Sequence, residues 1–331
     1  KFSKWRDAGT GIQPFVPAVP ARSQQSGLMR LAQGLKSFVV GPALAVVRLA
    51  VLGATALLDA LTASMGVLIV VPGLRRPATL FLRRVWARLA LFALGFMRIE
   101  MRTVSLQRGR RNTQEAHVSS GDIIVVNHAS YVDILILAYL YDPVFVELDN
   151  ATCYARRISL YQALRAPAQM TPALLPANEA EPLKAITEQA RVRQTGPVVV
   201  FAENATSNGR ALLQLLPVFG EMANLDEKAK IHVLALKYPF SAFSPAYSVG
   251  SQLMHVFQLC CQMYNSVSVR VLAAGEAPRM ADSALLCDAD EEPVDLDERV
   301  QECLVGVSRL RMTKMTAMDK RDFLKFYNAQ K

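Results

Sequence analysis

From about residue 120 onward, short apolar runs alternate with segments whose apolar residues recur at helical spacing. The runs "DIIVVN", "PVFVEL", "GPVVVFA", "KIHVLAL" and "VSVRVLA" are rich in valine, and several are apolar throughout, which predicts strands of a sheet covered on both faces. Between them, "ISLYQALR" and "EPLKAITEQARVRQ" have helical periodicity. Strands and helices in alternation predict an α/β domain with a mostly parallel central sheet flanked by helices. Ligands of such sheets sit beyond the carboxyl ends of the strands.

Upstream the pattern is different. Residues 36–74, "KSFVVGPALAVVRLAVLGATALLDALTASMGVLIVVPGL", form an apolar tract broken by Arg48 and Asp59. A membrane span takes about 20 apolar residues. The tract therefore holds either two short helices with a turn near Asp59 or one tilted span with Arg48 reaching for the interface. The cost of placing Arg48 and Asp59 near a bilayer centre favours the hairpin, entering and leaving one leaflet. A cleavable signal peptide is a poor match, because the tract begins too far in and runs too long. In "TLFLRRVWARLALFALG", residues 79–95, Arg83, Arg84 and Arg88 fall within about 140° of a helical wheel. That predicts a helix lying in the membrane interface; the competing reading is a core helix with a basic solvent edge. The expected organisation is an N-terminal segment (1–34), a membrane hairpin with the basic interfacial helix (35–98), the α/β domain (99–280), and an acidic loop with a helical, basic tail (281–331).

Composition narrows the partner. With 331 residues, 52% of them hydrophobic, the chain can bury a large core, and a net charge of +9 asks for an anionic partner. Ten arginines lie between Arg75 and Arg111 with Glu100 the only acid among them, directly after the apolar tract. That adjacency points to a membrane surface and away from nucleic acid, which would also call for an interleaved aromatic platform. The five cysteines are odd in number and Cys260 and Cys261 are adjacent, which predicts a reducing, cytosol-facing location. His117, His232 and His255 read as loop or packing residues, and no histidine or cysteine spacing suggests a metal.

Candidate chemistry lies at two strand ends. In "VVNHASYVD", His128 follows a strand and Asp133 falls five residues later. With His128 in the turn before a helix, its ring can fold back over the first turn and meet the Asp133 carboxylate. The result is a base oriented by an acid, with no protein nucleophile. Backbone N–H groups at the helix start are candidates for an oxyanion site. The same spacing also fits a histidine and an aspartate that merely cap the helix. In "GPVVVFAENATSNGR", Glu203 stands just past another strand, positioned to face His128, followed by Thr206, Ser207, Asn208, Gly209 and the guanidinium of Arg210. A loop closing onto a helix, with Glu203 as a capping acid, is the alternative.

"NHASYVD" resembles the NHxxxxD motif, and "FAENATSNG" the F-P-E-G-T-x-S motif, of the glycerolipid acyltransferase superfamily that includes 1-acylglycerol-3-phosphate acyltransferases. Residues 120–240 carry the resemblance, and "VLALKYPF" resembles a later family strand ending in proline. "WRDAGTGIQPFVP" and "KRDFLKFYNAQK" are similar to segments of fungal lysophosphatidic acid:oleoyl-CoA acyltransferases of the endoplasmic reticulum and lipid droplets.

The resemblance implies an enzyme that transfers an acyl group from acyl-CoA, its co-substrate, to a lysophospholipid, with no bound cofactor. It implies His128 as general base, Asp133 as its orienter, and a substrate-binding set of Asn127, Ser130, Glu203, Asn204, Thr206, Ser207, Gly209 and Arg210. Glu203 would hold the acceptor's glycerol, with Thr206, Ser207 and Arg210 near its phosphate. The implied partners are membrane lipids, a lysophospholipid and long-chain acyl-CoA. Two alternatives remain open: another acceptor such as lysophosphatidylcholine or lysophosphatidylethanolamine, or a non-catalytic membrane organiser of the same fold. The chain departs from the family pattern at Asn204, where a glycine is expected, and near "RAPAQMTPALLP", where an expected phosphate-binding arginine is missing. Arg165 or an arginine of the basic band is a candidate replacement.

Overall fold

A computed structural model describes residues 2–20, 39–68, 72–107, 116–152, 154–171, 174–176, 178–220, 229–278 and 295–330. In chain order its strands are β1 (Phe96–Val104), β2 (Ile123–Val126), β3 (Val144–Leu148), β4 (Ala155–Ile158), β5 (Val198–Val200), β6 (Ala211–Leu212), β7 (Ile231–Lys237), β8 (Asn265–Leu272) and β9 (Arg311–Met312). Its helices are α1 (Gly41–Leu68), α2 (Pro72–Ala93), α3 (Val132–Tyr141), α4 (Leu160–Arg165), α5 (Leu183–Arg193), α6 (Gln252–Cys260), α7 (Leu296–Ser308) and α8 (Ala317–Ala329).

The sheet is mixed and mostly parallel, flanked by helices. Seven strands lie in the order β1-β8-β7-β2-β5-β3-β4, with β6 and β9 pairing separately. Only the β7/β8 and β3/β4 pairs in the main sheet are antiparallel. All five apolar runs expected to be strands are strands. Their apolar continuity follows from burial on both faces. Ile124 and Val126 face a core shared with residues of α2, α3 and α6, while Ile123 and Val125 face one shared with α5 and α7. β1 and β4 were not expected. β1 is an edge strand with mixed burial whose arginines read as part of a basic band, and it crosses the division expected between residues 98 and 99.

The apolar tract folds differently from the expectation. No turn occurs at Asp59; α1 runs unbroken through it, and the helix packed along α1 is α2. The two polar side chains that argued for a turn are satisfied by the protein instead. Arg48 donates to the carbonyls of Cys260 (3.1 Å), Gln262 and Met263 (2.9 Å), the free acceptors at the carboxyl end of α6. Asp59 accepts from the Tyr161 hydroxyl at 3.0 Å, and Thr62 accepts from the Trp86 indole at 2.9 Å. The opposite side of α1 leaves Val46, Val47 and Leu57 more than 60% exposed, and α2 adds Phe81 at 67%. Residues 41–64 of α1 are long and apolar enough to cross a membrane, with a mean hydropathy of 2.0.

The basic helix is α2, and two of the three arginines on its expected basic face are engaged by the protein. Arg88 donates to the carbonyls of Phe96 and Met97 and lies over the Tyr139 ring, and Arg83 pairs with Asp142 at 3.7 Å. The acidic segment 287–294 lies outside the described residues. Asp295 caps α7, so the helix starts within the stretch expected to be loop.

A third, smaller core closes the molecule. Trp5 and Phe15 pack with Phe323 of α8 against Ala205 and Leu213, covering the second motif from outside.

Candidate active site

β2 is the central strand of the sheet, and β5 is its parallel neighbour, with Ile123 opposite Val198. Parallel neighbours end at the same edge, so the loops carrying His128 and Glu203 emerge side by side.

The His128 loop is organised by one carboxylate. Asp133, fully buried in the first turn of α3, accepts from the backbone N–H of Ala129 (2.7 Å) and Ser130 (2.8 Å) and lies 3.0 Å from His128 Nδ1. Its other oxygen accepts from the Tyr238 hydroxyl. The carboxylate only accepts, so Nδ1 carries the imidazole proton and Nε2 is left as the basic atom. The ring stacks on Phe201 with centroids 4.1 Å apart. Burial holds the imidazole below histidine's ordinary pKa of 6.5; Asp133 opposes that depression and the charge of Lys320 adds to it. A neutral base in a fixed tautomer results.

Most of the N–H groups expected to form an oxyanion site at the start of α3 are already engaged. The N–H groups of Ala129 and Ser130 are taken by Asp133, that of Val132 by Ser130 Oγ, and that of His128 by Glu203.

Glu203 is beside His128 but does not meet its ring. One carboxylate oxygen accepts from the His128 N–H at 2.8 Å, the other from the Leu213 N–H at 2.7 Å. The residue is 1% exposed, and burial pushes its carboxyl up to about 8 against the pull of those two N–H groups. It braces one loop to the other, where the resemblance implied a hold on the acceptor.

The rest of the expected binding set divides. Asn127 forms a two-way amide bridge to the Leu236 backbone (3.1 and 2.7 Å), tying β2 to β7. The Ser130 hydroxyl is used within the helix start, and Ser207 Oγ donates to the Ala211 carbonyl at 3.0 Å. Gly209 takes φ +72°, a turn that favours glycine. Arg210 donates to the Val19 carbonyl at 2.8 Å and clamps the N-terminal segment, which Asn208 also holds through Gln13 and Val16. Asn204 adopts φ +48°, which asparagine tolerates, and its amide donates to the Leu148 carbonyl and Asn150. Asn204 and Thr206 do line a cleft with His128, of about 60 Å³. A larger cavity of about 520 Å³ between α1, α2 and the β3–β4 region shares Phe145 and Ile158 with that cleft as walls.

Three contributors escaped the sequence reading. Tyr238 stands one residue past β7, and Phe201 one past β5; both positions are strand ends beside the motif, and that was the available signal. Lys320 of α8 lines the cleft and donates to the Thr206 carbonyl at 2.7 Å and to its hydroxyl. A lysine in a basic segment gives no sign of being buried.

No protein-family model matches the chain. Over 327 residues it is 27% identical to a Schizosaccharomyces pombe protein provisionally described as a lysophosphatidic acid:oleoyl-CoA acyltransferase, covering 98% of this chain and 97% of the relative. The crystal structure of the 1-acyl-sn-glycerophosphate acyltransferase PlsC of Thermotoga maritima aligns with 80% of this chain and 97% of its own, at 13% identity and a TM-score of 0.40. No residue role is carried over from that structure. The resemblance read on the two motifs thus extends, in the yeast relative, along nearly the whole chain.

Proposed function

We propose that this chain is a membrane-bound 1-acylglycerol-3-phosphate acyltransferase, forming phosphatidic acid from lysophosphatidic acid and a long-chain acyl-CoA. The observation that carries the reading is the His128–Asp133 pair, a neutral imidazole held by a buried carboxylate at the mouth of the central strand. The similarity to the yeast protein supplies the substrate class.

In the mechanism, His128 Nε2 removes the proton of the acceptor hydroxyl as its oxygen attacks the thioester carbonyl carbon. Asp133 favours the imidazolium that forms. Collapse of the tetrahedral intermediate breaks the C–S bond, and the imidazolium returns the proton to the departing CoA thiolate. No acyl-enzyme intermediate is required. The exposed apolar side of α1 and α2 seats the protein in one leaflet, at the cytosolic face of the endoplasmic reticulum or a lipid droplet.

Because Arg210 is engaged by Val19, a second reading takes lysophosphatidylcholine or lysophosphatidylethanolamine as acceptor. One experiment tests both: purified protein, labelled oleoyl-CoA and a panel of lysophospholipids, with His128→Ala beside the wild type. His128-dependent product with lysophosphatidic acid is expected. Absence of transfer to any acceptor overturns the enzyme reading.

A further inference from the structure

Lys320 is 3% exposed in the first turn of α8, where a capping box between Thr316 and Asp319 fixes the backbone. Phe323, three residues on, is locked between Phe15 and Trp5, so the lysine is held from both sides of its helix turn. An ammonium has three donors, and the two hydrogen bonds described for this one go to neutral oxygens of a single residue, Thr206. No ion pair among the described residues includes it. Glu203 is the acid whose charge reaches it, but both Glu203 oxygens accept from backbone N–H groups. Burying an ammonium without a carboxylate partner is costly, and burial pushes this one down to about 7, a cost that its two bonds to Thr206 offset only in part. Among the described residues lining the His128 cleft, Lys320 is the only lysine or arginine.

We propose that Lys320 is the cationic contact for the phosphate monoester of the acceptor, supplied to the His128 cleft by the last helix of the fold. This rests on the reading of the protein as a lysophosphatidic acid acyltransferase and names the residue that would select an anionic acceptor. It also explains why Arg210 is free to serve the N-terminal segment. The phosphate supplies the charge the site lacks, and burial strengthens the attraction.

The test is steady-state kinetics of the full chain in vesicles, with lysophosphatidic acid and oleoyl-CoA varied in turn, for wild type, Lys320→Met and Lys320→Gln. Both variants are expected to raise the KM for lysophosphatidic acid by about 10- to 100-fold, the worth of a charge-assisted hydrogen bond, and to leave the KM for oleoyl-CoA unchanged. Glycerol 3-phosphate is expected to compete against wild type and to lose its effect on both variants. Gln keeps N–H donors for Thr206 without the charge, so wild-type behaviour of Lys320→Gln would make the lysine structural and overturn the proposal. A fall in kcat alone, or a raised KM for oleoyl-CoA alone, would overturn it too, by assigning the charge to the thioester oxyanion or to CoA. Wild-type protein that transfers to no lysophospholipid would remove the underlying reading as well, whereas active wild type with unmoved variants removes only the role of Lys320.

Discussion

Replacing Glu203 with glutamine separates the brace seen in the structure from the substrate contact that the resemblance implied. Two N–H donors face two carboxylate oxygens, at 2.8 Å from His128 and 2.7 Å from Leu213. Glutamine presents one oxygen and one NH2, so one buried N–H is left facing another donor. The orphaned N–H and the weakened partner bond together cost about 3 kcal/mol. Against this, burial has pushed the Glu203 carboxyl from 4.5 up to about 8, and the proton it must take up on folding near neutral pH costs the wild type about 3 kcal/mol that the non-titrating glutamine avoids. The lost bonds therefore show in full only at acid pH, as about 3 kcal/mol or roughly 4 °C in Tm for a chain of this length, and the two effects nearly cancel near neutrality. The sign with pH also follows. The folded state holds a proton that the unfolded chain releases near the ordinary 4.5, so Glu203 takes stability from the wild type as pH rises from there through about 8. The Tm gap between wild type and Glu203→Gln should therefore be widest near pH 4.5 and close at about neutral pH. Thermal melts across that range, with kinetics beside them, are the assay. A Tm unchanged even at acid pH, together with a raised KM for the acceptor, would refute the brace and restore Glu203 to the substrate.

His128→Ala should lower turnover by about two to four orders of magnitude; it leaves the Glu203 brace to the backbone intact but removes the ring from Asp133 and Phe201, so a stability loss of about 1–3 kcal/mol should accompany it. Because burial depresses the imidazole, kcat/KM should rise with pH through a midpoint below 6.5, with Asp133 and Lys320 the charged groups that modulate it; an acid limb centred above neutrality would contradict that environment. Tyr238→Phe removes one donor to Asp133 and should cost about 1–2 kcal/mol in thermal or urea unfolding; no change would mean that the hydroxyl does not support the carboxylate. Lysines at Val47, Leu57 and Phe81 together should release the protein from vesicles in a flotation assay while leaving the melting temperature near wild type, and undiminished binding would place the membrane contact elsewhere.

Much of this molecule is local, and the local part is legible in the chain. Short valine-rich runs bounded by turn residues favour inner strands, and five of them were readable as β2, β3, β5, β7 and β8. The His128–Asp133 pair was readable too, because five residues spanning a strand end and one helical turn leave few ways for the two side chains to meet. What pairs across the sequence was not legible. Arg48 and Asp59 look like membrane liabilities until α6 and Tyr161 supply their partners, and only packing shows that α1 continues past both. The motif glutamate reads as a substrate ligand until two backbone N–H groups, one from each loop, are found on its oxygens. Lys320 reads as one charge in a basic tail until α8 docks on Thr206 and buries it beside the base. The sequence by itself therefore determined the five inner strands and the chemistry that lies within a few residues. The tertiary structure decided which polar groups already have partners, because burial makes an unpaired one costly and only the assembled fold says who is near enough to pair.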